Sequence, residues 1–317
     1  MRIPVKTLKN SVRWLRSRFV GKALILGYHR VAEVSSDVYG MCLSPQHFEE
    51  QLHAISRIAQ PVSLSALIKG LESDTVPKRA VAITFDDGYA DNLNHARSSL
   101  ERYRIPATFF VTTGALGNEF WWDELERLIL SLPIPHQVLS LELDGESFEW
   151  RLGGISNDPQ QLLERLYQCL RGLTPVARTH ALHQLQIWRG TAPRASGRAL
   201  TAAELGELAS SAWVEIGSHT VTHPILTYLP ISDQRAEIQQ SKADLEALIH
   251  RPVTGFSYPN GALTAQTQTL VRDAGYAYAC TSENDVVSKN SSSFALPRFW
   301  PPNWDGARFS EWLKRWL

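Results

Sequence analysis

Hydrophobic positions along the chain fall into short unbroken runs separated by stretches with helical spacing. Ala23 to Tyr28, Ala80-Val81-Ala82-Ile83-Thr84-Phe85 and Ala107-Thr108-Phe109-Phe110-Val111 read as buried strands. Between them, Ser44-Pro45 followed by Phe48, Leu52 and Ile55 opens an amphipathic helix with an N-cap and a proline in its first turn, and a second helix is expected over Asn92 to Tyr103. Continuous apolar strands alternating with helices predict a parallel sheet covered on both faces. The alternation resumes after residue 200 with a capping box at Thr201 and Glu204 and a strand from Trp213 to Gly217. It continues with a helix from Ser232 to Ile249, a strand from Val253 to Tyr258, a helix from Ala265 to Ala274 and a strand from Tyr276 to Thr281.

The pattern changes between about 120 and 200. A helix from Asp123 to Leu132 precedes a hairpin in which Leu139 to Leu143 and Phe148 to Leu152 flank Asp144-Gly145-Glu146, and two more helices follow near 160–170 and 175–187. This stretch is expected to be a mainly helical insertion. The Ser/Asn-rich run from Ser288 to Ser293 is expected, on composition alone, to be a mobile loop. Residues 1–22 carry basic groups without a single acid, with Leu8, Val12, Leu15 and Phe19 at helical spacing. That basic amphipathic helix suits either packing on the protein body, the favoured reading, or a peripheral membrane contact. The expected organisation is therefore a helix over 1–22 and one catalytic domain over 23–317, interrupted at about 120–200.

Composition narrows the class. A chain of 317 residues, 44% hydrophobic and 20% charged, is an ordinary globular protein of enzyme size. Lys+Arg and Asp+Glu both number 32, so no global field draws in nucleic acid, and no such partner is expected. Cys42, Cys169 and Cys280 are odd in number and lack CxxC spacing, which argues against a disulfide framework and favours a reducing, cytoplasmic setting.

The chemistry concentrates at two predicted strand ends. Thr84-Phe85-Asp86-Asp87-Gly88-Tyr89 sets two adjacent carboxylates at the C-terminal end of a strand, where their charges need a cation or hydrogen bonds. The strand ending at Gly217 runs into Ser218-His219-Thr220-Val221-Thr222-His223-Pro224, and two imidazoles four apart on a helical turn could bind one divalent ion. A carboxylate with two histidines leaves coordination positions open for water and substrate.

With both motifs in view, the sequence resembles the polysaccharide deacetylases with a NodB-like domain, carbohydrate esterase family 4. The resemblance covers roughly 23–115 and 201–300, and not the insertion. It implies an α/β fold of the distorted (β/α) TIM-like barrel type, a divalent metal held by Asp87, His219 and His223, and Asp86 as general base. Zinc is the expected metal, with cobalt, nickel or iron also suited to the ligand set. The family's reaction is removal of an N- or O-acyl group, usually acetyl, from a sugar.

Three departures from the family pattern matter. The usual Arg-x-Pro-Tyr-Gly motif is replaced by Ser257-Tyr258-Pro259-Asn260-Gly261, so the arginine that orients the base is missing, while the backbone N–H that binds the oxyanion can come from Asn260. Arg298, after the last strand, is the substitute candidate for the arginine. No histidine follows His250, so the usual C-terminal general acid is absent as well. His29, in a Tyr-His-Arg-Val segment that resembles the poly-N-acetylglucosamine subgroup, is the candidate acid and lies in a residue type that titrates near the required range. Trp122 and Trp300 are candidate platforms for sugar faces, and Tyr258 and Pro259 of the altered loop are candidate substrate or oxyanion residues beside Asn260.

The expected activity is a carbohydrate N-deacetylase, a hydrolase of carbon–nitrogen bonds other than peptide bonds, acting on an N-acetylated sugar or glycoconjugate. The insertion favours a nucleotide-linked, lipid-linked or small glycoside substrate over a long polymer. A deformylase or O-deacylase using the same groups, and a catalytically silent glycan-binding protein, are the alternatives.

Overall fold

The computed structural model describes residues 22–130, 138–143, 145–151, 158–190 and 197–317. The basic helix expected over 1–22 therefore lies outside the described residues, except that Lys22 is the first residue of a strand. Among the described residues no helix is long and apolar enough to cross a membrane.

The described residues divide into two compact units, one drawn from 22–113 and 200–317, the other from the described part of 114–199. In the first unit, β1 (Lys22–Tyr28) leads through the short strands β2 (Arg30–Val31) and β3 (Cys42–Leu43) to helix α1 (Pro45–Ile58). Ser44 caps α1 by accepting from the His47 N–H. Next come β4 (Gln60–Pro61), α2 (Leu64–Ser73) and β5 (Ala80–Phe85), every residue of which is buried. The helix expected over 92–103 splits into a π-helical turn, Asn92–Ala96, and α3, Arg97–Tyr103. At this turn Asn92 Nδ2 donates to the His29 carbonyl at 3.2 Å and Asp91 pairs with Arg30. Strand β6 (Ala107–Val111) completes this half.

The second unit contains α4 (Trp121–Leu130), the hairpin β7 (Val138–Leu143) and β8 (Glu146–Arg151), α5 (Pro159–Leu170) and α6 (Pro175–Arg189). It has a core of its own, in which Leu125, Leu141, Leu163 and Leu185 are buried together.

The first unit resumes with α7 (Ala202–Ala209), opened by the Thr201/Glu204 capping box, then β9 (Val214–Ser218) and α8 (Ile231–Ile249). The strands expected over 253–258 and 276–281 are shorter, β10 (Gly255–Ser257) and β11 (Tyr278–Cys280), separated by α9 (Ala265–Asp273). The run at 288–293 is a hydrogen-bonded turn after β12 (Val287–Ser288), with Ser291 N–H donating to the Ser288 carbonyl at 2.9 Å. Helix α10 (Gly306–Trp316) ends the chain.

One curled sheet orders the strands β11-β10-β9-β6-β5-β1-β12, with β4 also paired to β5. All neighbours are parallel except β1 and β12. The extended segment 296–299 links β11, at one end of the sheet, to β1 near the other, because Leu296 bridges Cys280 of β11 and Phe299 bridges Leu26 of β1. This is a distorted (β/α) barrel. The C-terminal ends of β5, β9 and β10 and the linking segment converge on one rim, the usual place for chemistry in such folds.

Candidate active site

Asp86 follows β5 directly, and its N–H donates to the Tyr28 carbonyl at 2.9 Å. The next two residues turn sharply, with φ of 72° at Asp87 and 89° at Gly88. The positive φ at Gly88 favours glycine, and a Cβ there would also crowd the Val111 side chain at 3.0 Å. The left-handed Asp87 is a strained backbone position of the kind concentrated at functional sites.

Both carboxylates are buried, yet their surroundings differ. Asp86 lies against the fully buried Arg298 in a two-pronged pair, Nη1 to Oδ1 and Nη2 to Oδ2, both 2.7 Å. Ser257 Oγ donates to the same Oδ2 at 3.1 Å and accepts from Arg298 Nη2 at 2.9 Å. Arg298 completes its donor set on Thr84 Oγ1 at 3.1 Å and the Thr281 carbonyl at 2.9 Å. Burial by itself would raise the Asp86 carboxyl, but Arg298, helped by His219 and His29, holds it well below the usual carboxylate range. The serine at the vacated arginine position thus bonds both the carboxylate and the arginine that reaches it from segment 296–299.

Asp87, His219 and His223 form the other group. Their ligand atoms lie within 4.8 Å of one another. His219 Nε2 is 3.6 Å and His223 Nε2 3.4 Å from Asp87 Oδ1. His219 Nδ1 lies 2.7 Å from the Ser257 carbonyl, which can only accept, so Nδ1 carries the proton and the Nε2 lone pair faces the carboxylate. Burial lowers the His219 pKa and keeps the ring neutral, as a metal ligand must be. Two imidazole nitrogens and one carboxylate oxygen, convergent and largely buried, fit a divalent transition metal.

The two histidines do not share a helical turn. His219 ends the run from β9, and His223 returns through a loop in which Thr220 (φ 67°) and His223 (φ 54°) are left-handed. The loop is braced by Glu237 of α8, a residue for which the sequence offered no signal.

His29 is half-buried, with its ring stacked on Trp300 at 4.8 Å. The Arg298 guanidinium also lies over Trp300, 4.6 Å from the ring centre. A Cβ at Gly27 would stand 2.6 Å from the same indole, so only glycine lets Trp300 lie against β1. Burial, followed by Arg298 and His219, pushes the His29 pKa down to about 4 against the pull of Asp86. The resting ring is therefore neutral, not the protonated acid that an ordinary histidine value suggested.

The remaining sequence candidates fare unequally. Asn260 is exposed in the turn Pro259–Gly261 with φ of 57°, three residues beyond Ser257, and Pro259 is buried beneath it. Tyr258 is fully buried with its hydroxyl donating to the Phe294 carbonyl at 3.0 Å, so its side chain is core and offers nothing to substrate. Trp122 belongs to the second unit and is buried, its ring stacked on Phe120 at 4.7 Å; it packs instead of presenting an open face. Thr84 and Thr281, which hold Arg298, were not singled out by sequence, although Thr84 lies inside the Thr-Phe-Asp-Asp run.

Comparison with known proteins fits this geometry. The sequence pattern of the polysaccharide deacetylase family matches residues 73–138 and 159–279, and the chain belongs to that family. YxkH of Bacillus subtilis (strain 168) is 22% identical over 307 residues, covering 95% of this chain and 79% of that protein. The poly-beta-1,6-N-acetyl-D-glucosamine N-deacetylase of Staphylococcus aureus (strain MSSA476) is 32% identical over 110 residues, which is 31% of this chain and 38% of that protein. In fold, the chain is similar to the Streptococcus pyogenes deacetylase PplD, solved in complex with acetate, at a TM-score of 0.61 and 18% identity over 92% of this chain and 98% of that one.

Proposed function

We propose that this protein is a metal-dependent carbohydrate N-deacetylase that hydrolyses the N-acetyl group of glucosamine units in a glycan. The observation that carries the reading is the division between two adjacent carboxylates: Asp87 is grouped with His219 and His223, and Asp86 is held ionised by Arg298 beside them. A silent binder would not need the second carboxylate kept charged at the cost of burying an arginine. The partial likeness to a poly-N-acetylglucosamine deacetylase favours a polysaccharide over the small precursors that the insertion suggested.

Asp87, His219 and His223 would hold the ion, zinc being best suited to the set, with cobalt, nickel and iron accepted. When bound, it would supply Lewis acidity toward the acyl carbonyl and acidify a water. The chain's own work begins at Asp86. Three donors occupy three of its four lone-pair positions, leaving one at Oδ1 to take the proton of the attacking water. The Asn260 backbone N–H would donate to the developing oxyanion. His29, neutral at rest, would protonate the departing amine only after the proton released on attack has reached it, with Trp300 fixing the plane of its ring.

The acyl class is tested by presenting N-acetyl, N-formyl and O-acetyl versions of one β-1,6-linked glucosamine oligomer. The reading expects turnover of the N-acetyl oligomer above the other two. Preference for the formyl or ester version would reassign the enzyme to deformylation or O-deacylation, and binding without turnover of any would make it a lectin.

A further inference from the structure

Helix α8 holds the loop between the two histidines through the side chain of Glu237. Glu237 Oε2 accepts from the Val221 N–H at 2.8 Å and from the Thr222 N–H at 2.9 Å, and Oε1 accepts from the Thr222 hydroxyl at 2.5 Å. Within the loop, Thr220 Oγ1 donates to the His219 carbonyl at 2.5 Å and accepts from the His223 N–H at 3.1 Å. The bonds meet a specific need. Thr220 and His223 are both left-handed, a conformation that residues with a Cβ avoid, and His223 reaches the carboxylate of Asp87 only because the backbone turns that way. A free loop of this composition would populate other conformations, most of them carrying the imidazole away from Asp87.

We infer that Glu237 is the positioning residue of the metal centre, clamping the 220–223 loop from α8 so that His223 is aimed at the ion before the ion arrives. The inference rests on the proposed metal site and extends it to a residue that touches neither ion nor substrate. Its position supports the role: Glu237 lies in a helix the barrel core already anchors, with Gln234, Ile238, Ser241 and Leu245 buried, so the clamp is fixed to a rigid element. Groups that orient metal ligands from behind usually change affinity by ~10 to 100-fold when removed.

The test is zinc affinity of the full-length chain, measured by competition with a chromogenic chelator after the protein has been stripped of metal. Thermal unfolding of the stripped protein is recorded alongside. Glu237→Ala is expected to weaken zinc binding by ~10 to 100-fold. Glu237→Gln, whose amide oxygen can still accept from both N–H groups while its amide nitrogen faces the Thr222 hydroxyl, is expected to recover most of the loss. Thr222→Val, which removes one of the three bonds and keeps the fold if Glu237→Ala does not, is expected to weaken binding by a smaller factor. A parent protein that binds zinc, together with Ala and Val variants that bind it equally well, overturns the clamp and leaves the metal reading intact. A parent that binds no zinc overturns the metal reading and the clamp with it.

Discussion

Replacing Arg298 by methionine tests whether the arginine holds Asp86 in its charged state. The side chain is fully buried, and its five N–H groups are used on Asp86 twice, Thr84, Ser257 and Thr281. Methionine fills similar space without charge, so the substitution leaves a buried carboxylate unopposed, which costs about 3–5 kcal/mol. For a unit of this size that is a fall of roughly 6–20 °C in melting temperature. The pH dependence fixes the cause. In the parent, Asp86 titrates below its ordinary value of 3.8, so its stabilising effect is complete above that value and is lost only in strong acid. Without Arg298, burial is the leading influence and lifts the carboxyl above 3.8, so the variant's deficit is largest at neutral pH and shrinks as acid protonates Asp86. Urea unfolding of stripped protein at pH 7 and pH 4 reads this directly. Arg298→Lys, a charge without the fork, should fall between parent and methionine variant. A deficit below about 1 kcal/mol, or one equal at both pH values, would refute the assignment.

Other outcomes follow from the same geometry. Asp86→Asn should keep bound metal yet lose ~10² to 10⁴-fold in turnover, and loss of metal in that variant would reverse the roles of the two carboxylates. His29→Phe keeps the stack on Trp300 and removes a group whose folded value, about 4, lies below its free value of 6.5. The unfolded chain binds that proton first, so parent stability should decline as pH falls from 6.5 toward 4, and the variant's decline should be shallower; parallel curves would show that His29 is not held neutral. Gly27→Ala drives a methyl into the Trp300 ring and should cost ~10²-fold in turnover with metal content unchanged, as expected when reacting groups move by about 1 Å.

Sequence alone carried the reading far at the two strand ends, because carboxylates and histidines there have few cheaper explanations. The apolar runs also marked the strands of the parallel sheet, although β10 and β11 are shorter than their apolar runs suggested, since pairing at that side lasts only three residues. Arg298 stands in the sequence as the substitute for an arginine that Ser257 displaces, yet its bonds to Ser257 and Thr281 depend on segment 296–299 joining β11 to β1, which no local pattern encodes. Histidines four apart suggest a helix, but the chain brings them together with two left-handed residues, a choice that the identities of Thr220 and His223 conceal. Burial is hidden for a related reason: a tryptophan such as Trp122 suits a sugar face and Tyr258 sits in the loop expected to meet substrate, and only packing shows that both side chains are buried. Glu237 lies fourteen residues beyond His223 on a helix of mixed polarity, where an acidic side chain is ordinarily a solvated one.

The central claim is tested most directly by following acetate and free amine released from a β-1,6-linked N-acetylglucosamine oligomer by the parent protein, by the protein stripped with a chelator, and by the stripped protein resupplied with zinc. The account predicts equal amounts of acetate and amine from the parent, none after stripping, and recovery on resupply, with His223→Ala silent throughout. Release that survives stripping, or that persists in His223→Ala, would contradict the assignment of Asp87, His219 and His223 to the chemistry.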